Sequence, residues 1–264
     1  MQRFAAITAA IVIALACGAD AGSAGEGADG AGTPDTTRAI AAASGVATQA
    51  GGATIRGSVK FTGAKPANPR IDMSEEPKCA EKHRTPPVQQ AVVVNPNGTL
   101  ANVFVYVKSG LPADAKYPVP AQPVVIDQDG CEYRPRVLGL MVGQQLEIRN
   151  SDPLLHNIKA RGTKNRGFNI SQPRANMKTT RTFNAPEVMV ALECNVHGWM
   201  QAFVGVLPHP FYAVTGADGS FTIKGLPAGT YTVEAWHEKY GTRTATVTVA
   251  GTETKTADFT FAAK

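Results

Sequence analysis

Val188-Met189-Val190-Ala191-Leu192-Glu193-Cys194-Asn195-Val196-His197-Gly198-Trp199-Met200 changes character halfway along. Up to Cys194 it alternates like a strand, with Val188, Val190, Leu192 and Cys194 sharing one face. A tight loop carrying His197 follows, and β-type sequence resumes over Met200–Val206. Working outward, runs of the same kind recur at Thr54–Phe61, Gln89–Val94, Asn102–Lys108, Val124–Ile126, Gln145–Arg149, Leu155–Ala160 and Thr179–Phe183. Beyond the loop they continue at Ser220–Ile223, Tyr231–Trp236 and Arg243–Val249. The turns between them are explicit: Asn97-Gly98, Asp129-Gly130, Asp218-Gly219 and Ala228-Gly229. No window has comparable helical periodicity. Short strands at regular spacing predict an all-β chain of sandwiches or barrels.

The 264 residues suffice for one or two domains. Only 18% are charged, which argues against a coiled coil or a highly charged disordered chain. The net charge of +5 comes with no zinc finger, RNP motif or Arg-rich arm, so nucleic acid is not an expected partner. Long apolar runs are absent beyond the N-terminus, which excludes a polytopic membrane protein.

Residues 1–17 read as a secretory signal: Arg3, an apolar run from Phe4 to Ala16, then Cys17. Ala14-Leu15-Ala16-Cys17 resembles a bacterial lipobox, which implies lipidation at Cys17. The alternative is ordinary cleavage after Ala16. The lipoprotein reading is preferred because a lone exposed thiol is an oxidation hazard outside the cytosol. Residues 18–52 hold 11 Ala, 9 Gly and no aromatic residue, a composition that cannot offset its own ordering entropy. They are expected to form a disordered tether, with an r.m.s. span of roughly 30–35 Å. The expected location is the periplasm or cell surface, on a membrane through lipid.

The chemistry concentrates in the loop. Cys194, His197 and Met200 stand at spacing C-x2-H-x2-M, and upstream runs Asn150-Ser151-Asp152-Pro153-Leu154-Leu155-His156-Asn157-Ile158. His156 shares parity with Ile158 and Ala160, so it too can face inward. Two imidazoles, a thiolate and a weak thioether match the ligands of a blue-copper electron-transfer site. Zinc fits less well, since it prefers four Cys or His ligands and the fourth residue here is Met. A dinuclear copper centre would need a second loop cysteine. The bland reading is a buried thiol beside an ordinary loop histidine. Four ligand-type residues at this spacing argue against it.

This arrangement resembles the cupredoxins over roughly residues 90–207, and the short loop is similar to that of amicyanin. The resemblance implies a Greek-key sandwich holding one type 1 copper, with His156, Cys194, His197 and Met200 as ligands. It also implies that the Asn157 amide steadies the ligand loop. Residues 209–264 differ. Thr215-Gly216-Ala217-Asp218-Gly219-Ser220-Phe221 and Leu226-Pro227-Ala228-Gly229-Thr230-Tyr231 resemble the carboxypeptidase regulatory-like, transthyretin-like sandwich, a non-catalytic support. The whole resembles secreted bacterial proteins of the methylamine-utilisation type. The expected layout is a copper domain over 53–208 and the smaller sandwich over 209–264. Strand 54–61, with its Gly57-Ser58-Val59, is expected to pair with the latter.

Two further features complete the reading. Cys79 and Cys131 form a natural disulfide pair, worth roughly 4 kcal/mol for a loop of about 50 residues. Separate buried thiols are the alternative. Between Arg149 and Arg181 eight basic residues face one acid, Asp152. Lys159, Arg161, Lys164 and Arg166 are either a solvated face or a docking surface beside the copper for an acidic redox partner. The functional expectation is an exported electron carrier cycling Cu(II)/Cu(I), with no enzymatic chemistry. The competing readings are non-redox copper binding and a structural or carbohydrate-interacting surface β protein.

Overall fold

The computed structural model describes residues 51–263, so the signal segment, Cys17 and the tether up to residue 50 lie outside it. The described chain folds as β-strands, with one four-residue helix, α1, at Pro77–Ala80. The strands make four sheets, which pair into two sandwiches.

One sandwich is built from the middle of the chain. Its larger sheet has the order β5 (Val137–Met141), β11 (Gln201–Leu207), β10 (Glu187–Glu193), β7 (His156–Arg161), β8 (Phe168–Gln172). The facing sheet runs β4 (Tyr133–Arg134), β3 (Val124–Gln128), β6 (Gln145–Asn150), β9 (Met177–Thr182). Parallel pairing of β5 with β11 and of β3 with β6 means that the chain crosses between sheets. Leu146, Ile148, Ile158, Val190, Leu192 and Val204 fill the space between, each removed from water.

The second sandwich collects strands from both ends. Here β1 (Ala53–Thr62) runs antiparallel to β13 (Ser220–Leu226) and parallel to β16 (Thr254–Thr256) and β17 (Phe259–Ala262). The opposing sheet has the order β12 (Tyr212–Val214), β2 (Phe104–Ser109), β14 (Gly229–His237), β15 (Gly241–Val249). The boundary expected at residue 208 therefore does not follow the sheets. Residues 104–109 pair with β12 and β14, because the inward face of β2, Val105 and Val107, packs with Phe221, Val233 and Phe261.

A third apolar layer joins the sandwiches. Phe104, Tyr106 and Tyr212 from β2 and β12 meet Val137 and Leu207 from β5 and β11. Glycine makes this contact possible. A Cβ at Gly139 would stand 2.3 Å from the Tyr212 ring, and one at Gly205 2.3 Å from the Phe104 ring. Arg136 and Glu238 add a bidentate ion pair at 2.6 and 2.9 Å.

Two local expectations are corrected. Gln89–Val94 forms no strand; it holds a single isolated bridge, Val94 to Leu100, and Val88 just before it bridges Arg70. Val188 does not face inward with Val190, Leu192 and Cys194. The register shifts between Glu187 and Val190, leaving Val188 38% exposed and turning Glu187 inward. The buried Glu187 carboxylate then accepts hydrogen bonds from the backbone N–H groups of Thr163, Lys164 and Asn165. Burial opposes its charge, but these donors outweigh burial and hold its carboxyl down at about 2.

Candidate metal centre

Cys194 follows the last residue of β10, and Met200 precedes β11. The loop between them is closed by its own backbone. Cys194 N–H donates to the Met200 carbonyl at 3.3 Å, and Met200 N–H to the His197 carbonyl at 3.0 Å. The His197 N–H points at Cys194 Sγ, 3.3 Å away. His156 enters from the first residue of β7, which lies beside β10. Its Nδ1 stands 3.0 Å from His197 Nδ1, and Cys194 Sγ is 3.9 Å from that same His197 nitrogen. His156, Cys194 and His197 are all buried, with donor atoms within 4.8 Å of one another. Met200 is 1% exposed, in the same apolar core as Cys194.

Each donor is set by its surroundings. Burial disfavours the Cys194 thiolate, yet hydrogen bonds from His156, from His197 and from backbone N–H groups outweigh it and bring the thiol to about 5. Asp152 Oδ2 lies 2.8 Å from His156 Nε2. A carboxylate there accepts a hydrogen bond from Nε2–H and leaves the Nδ1 lone pair facing His197 and Cys194. Burial opposes the charged imidazole, but Asp152 and Cys194 raise His156 overall. Asp152 is fully buried and also accepts from Gly130 N–H at 3.0 Å, Cys131 N–H at 2.8 Å and Lys82 Nζ at 2.9 Å. Burial works against its charge, and these partners hold its carboxyl below the usual range. Asn157 braces the loop from behind: its Oδ1 accepts from Asn195 N–H at 3.1 Å, and its Nδ2 donates to the Ile170 carbonyl at 3.1 Å.

The far edge of His197 is covered. Cys79 and Cys131 form a disulfide, and Cys79 Sγ lies 3.7 Å from His197 Nε2. Trp199 packs its ring 5.2 Å from the imidazole and donates Nε1–H to the Cys131 carbonyl at 2.9 Å. His83, close to Cys79 in sequence, meets the Gly130 carbonyl at 2.7 Å.

The donors fit a soft or borderline ion. A first-row ion with N and S bonds of about 2.0–2.3 Å separates its ligand atoms by roughly 3–4 Å, the range seen here. An easily ionised thiol with two converging imidazole nitrogens suits a soft or borderline ion rather than calcium or magnesium, and the Met200 thioether is buried in the same core.

The basic residues spread along β7 and the loop that follows it. Arg161 ends β7, five residues from His156, or about 16 Å along a strand. Lys164 and Arg166 lie on the loop beyond it, at the end of β7 away from the imidazoles. Arg161 is paired with Glu193 at 2.5 Å, and Lys159 sits opposite Glu193 in the sheet. Lys159 and Arg161 therefore meet the acid that precedes Cys194, while Lys164 and Arg166 lie past the far end of β7. Sequence spacing missed this because Glu193 and Glu187 arrive from the neighbouring strand. Beside the cluster two apolar side chains reach the surface: Leu155, 45% exposed, and Val196, 43%.

No curated protein matches the chain. Among solved structures, a purple cupredoxin from Nitrosopumilus maritimus is 22% identical, over 31% of this chain and 97% of its own, with a TM-score of 0.27. An amicyanin variant in the Cu(I) form is 18% identical, over 39% and 97%, with a TM-score of 0.29. A copper-containing nitrite reductase from Thermus scotoductus SA-01 is 21% identical, over 37% of this chain and 25% of its own, with a TM-score of 0.29. Residues 201–262, from β11 onward, match the family model of the carboxypeptidase regulatory-like domain.

Proposed function

We propose that the chain is an exported one-electron carrier that binds a single copper ion at His156, Cys194, His197 and Met200. The observation that carries this reading is the buried convergence of His156 Nδ1, His197 Nδ1 and Cys194 Sγ. Copper held there supplies a Cu(II)/Cu(I) couple. The residues do the rest. Asp152 fixes the His156 ring, Asn157 and the loop backbone fix Cys194, and the surrounding core excludes water. Ligands that cannot rearrange keep the reorganisation between oxidation states small. Lipid on Cys17 would keep the carrier at a membrane.

Adding Cu(II) to the purified protein is expected to give an intense visible thiolate-to-copper band, and Cys194→Ser to abolish it. A colourless complex would overturn the reading.

The redox partner in this reading meets the face around Leu155 and Val196, each the sequence neighbour of one imidazole ligand. Lys164 and Arg166, which make no ion pair among the described residues, attract an acidic partner from a distance. Raising the ionic strength from 0.01 to 0.5 M should slow association about tenfold or more. Lys164→Glu with Arg166→Glu should flatten that dependence, whereas Leu155→Asp should slow transfer at every salt concentration. Rates indifferent to both salt and Leu155→Asp would rule out this face.

A further inference from the structure

His197 has a second nitrogen that the copper reading does not use. The residue is 2% exposed, yet among the described residues no oxygen or nitrogen stands within hydrogen-bond distance of Nε2. What faces it is sulfur. Cys79 Sγ is 3.7 Å away, and Cys79, Cys131 and His197 bring their donor atoms within 4.8 Å of one another. The Glu76 carboxylate stands 3.9 Å from the same nitrogen. A buried imidazole nitrogen aimed at two sulfurs and a carboxylate is an assembled ligand set, with one bond, the disulfide, holding the sulfurs out of use.

We propose that Cys79, Cys131, His197 Nε2 and Glu76 form a second, thiol-gated metal site, which takes a thiophilic ion such as Zn(II) or Cu(I) once the disulfide is reduced. A dithiol reductant transfers two electrons and two protons to the Cys79–Cys131 bond. Its own sulfurs become a disulfide, and two thiols remain on this chain. A divalent ion then binds with release of the two thiol protons. The sulfur atoms separate from bonding distance to about 3.5–4 Å, the spacing that two thiolates take around one ion. The closed disulfide offers no thiolate, so the site is off in the oxidised chain.

Access follows from the way Cys79 is held. It sits on α1, within a segment from Asp72 to Gln90 in which only Met73 and Cys79 are buried. So thinly packed a segment opens locally at low cost, which brings the disulfide to a reductant while the sandwiches stay folded. Cys131 is the fixed partner, its N–H bound to Asp152. Asp152 also holds His156, so both imidazoles feel the state of the sulfurs.

The proposal does not require copper at the first site, and its test removes that site. In full-length Cys194→Ser protein, Co(II) is added before and after anaerobic reduction. The reduced form should bind one equivalent with thiolate-to-cobalt absorption, and the oxidised form should show no such absorption. Adding Cys79→Ser and Cys131→Ser should abolish it, with Cys17 still present as an internal control. Adding His197→Ala instead should weaken binding by more than about 100-fold, beyond what an outer partner of a ligand contributes. An unfolded dithiol chain would not sense His197. Absence of the absorption on reduction, or affinity unmoved by His197→Ala, would overturn the proposal whatever the outcome of the copper test.

Discussion

Asp152→Ala should lower the stability of the metal-free protein by about 3–5 kcal/mol, although Asp152 is not one of the four proposed copper ligands. The carboxylate is fully buried and serves four donors. Its removal leaves two backbone N–H groups and the His156 Nε2 proton without acceptors. Lys82 loses its partner too, but it is one-third exposed and turns to water. Asp152→Asn is no milder substitute in this setting. Both carboxylate oxygens accept from a backbone N–H, so an amide must point its NH2 at one of those donors. We expect Asn to lose about 2–3 kcal/mol, and either variant to bind copper some 10–100-fold more weakly because His156 is free to turn. Lys82→Met should cost about 1 kcal/mol or less. Urea unfolding with copper titration measures all of these. An Asp152→Ala protein within about 1 kcal/mol of the parent would remove Asp152 from its place as the anchor of the site.

Stability should also fall as the pH drops from 6.5 to 4, through two histidines that are not among the candidate ligands. His209 is pushed down to about 4 by burial, and His237 to about 4 by burial with Arg136 and Lys239 nearby. Each ring accepts a backbone N–H through Nδ1: from Phe211 to His209 at 3.3 Å, and from Lys239 to His237 at 3.1 Å. A proton on Nδ1 would cancel that acceptor. Between pH 6.5 and 4 the unfolded chain therefore binds the protons that the folded chain refuses. This contribution is complete above 6.5, declines as the pH falls, and levels off below 4. A gap of about two and a half units gives about 3 kcal/mol for each ring. Cys194, at about 5 when folded, adds a slope of the same sign above pH 5. The histidine share is read from His209→Gln and His237→Gln, which should each flatten the pH 6.5 to 4 segment of a urea-midpoint profile. A profile unchanged in both variants would show that neither ring is held neutral.

The candidate ligand residues stand out in the sequence because their spacing is local. Cys194, His197 and Met200 lie within seven residues, and His156 alternates with Ile158. Strand identity was legible wherever one face meets a core and the other meets water, as in β6 and β13. It failed at β5, Val-Leu-Gly-Leu-Met, where all five residues are buried: Leu138 and Leu140 face the sandwich core, while Val137 faces the seam. With both faces covered, no alternation remains to be read. Sheet membership was illegible for β2, since nothing within residues 104–109 records that the partners lie more than a hundred residues on. Asp152 looked like a turn residue before Pro153, and its acceptor role appears only when Gly130, Cys131 and Lys82 are folded around it. Glu187 was hidden by the register shift that turns it inward. The meeting of the disulfide with His197 joins residues 118 apart and leaves no mark in either local segment.

The position of β1 has a mechanical consequence. It is zipped on one edge to β13 and on the other to β16 and β17, and it is the first strand after residue 50. Tension arriving from the N-terminal side is thus carried as shear along three ladders of the regulatory-like sandwich. Beyond those ladders the load passes to the metal-type loop across the seam of Phe104, Tyr212 and the Arg136–Glu238 pair and along the chain to the Cys79–Cys131 disulfide beside His197. A chain pulled at its N-terminus loads the β1 ladders first and the loop of Cys194 and His197 last.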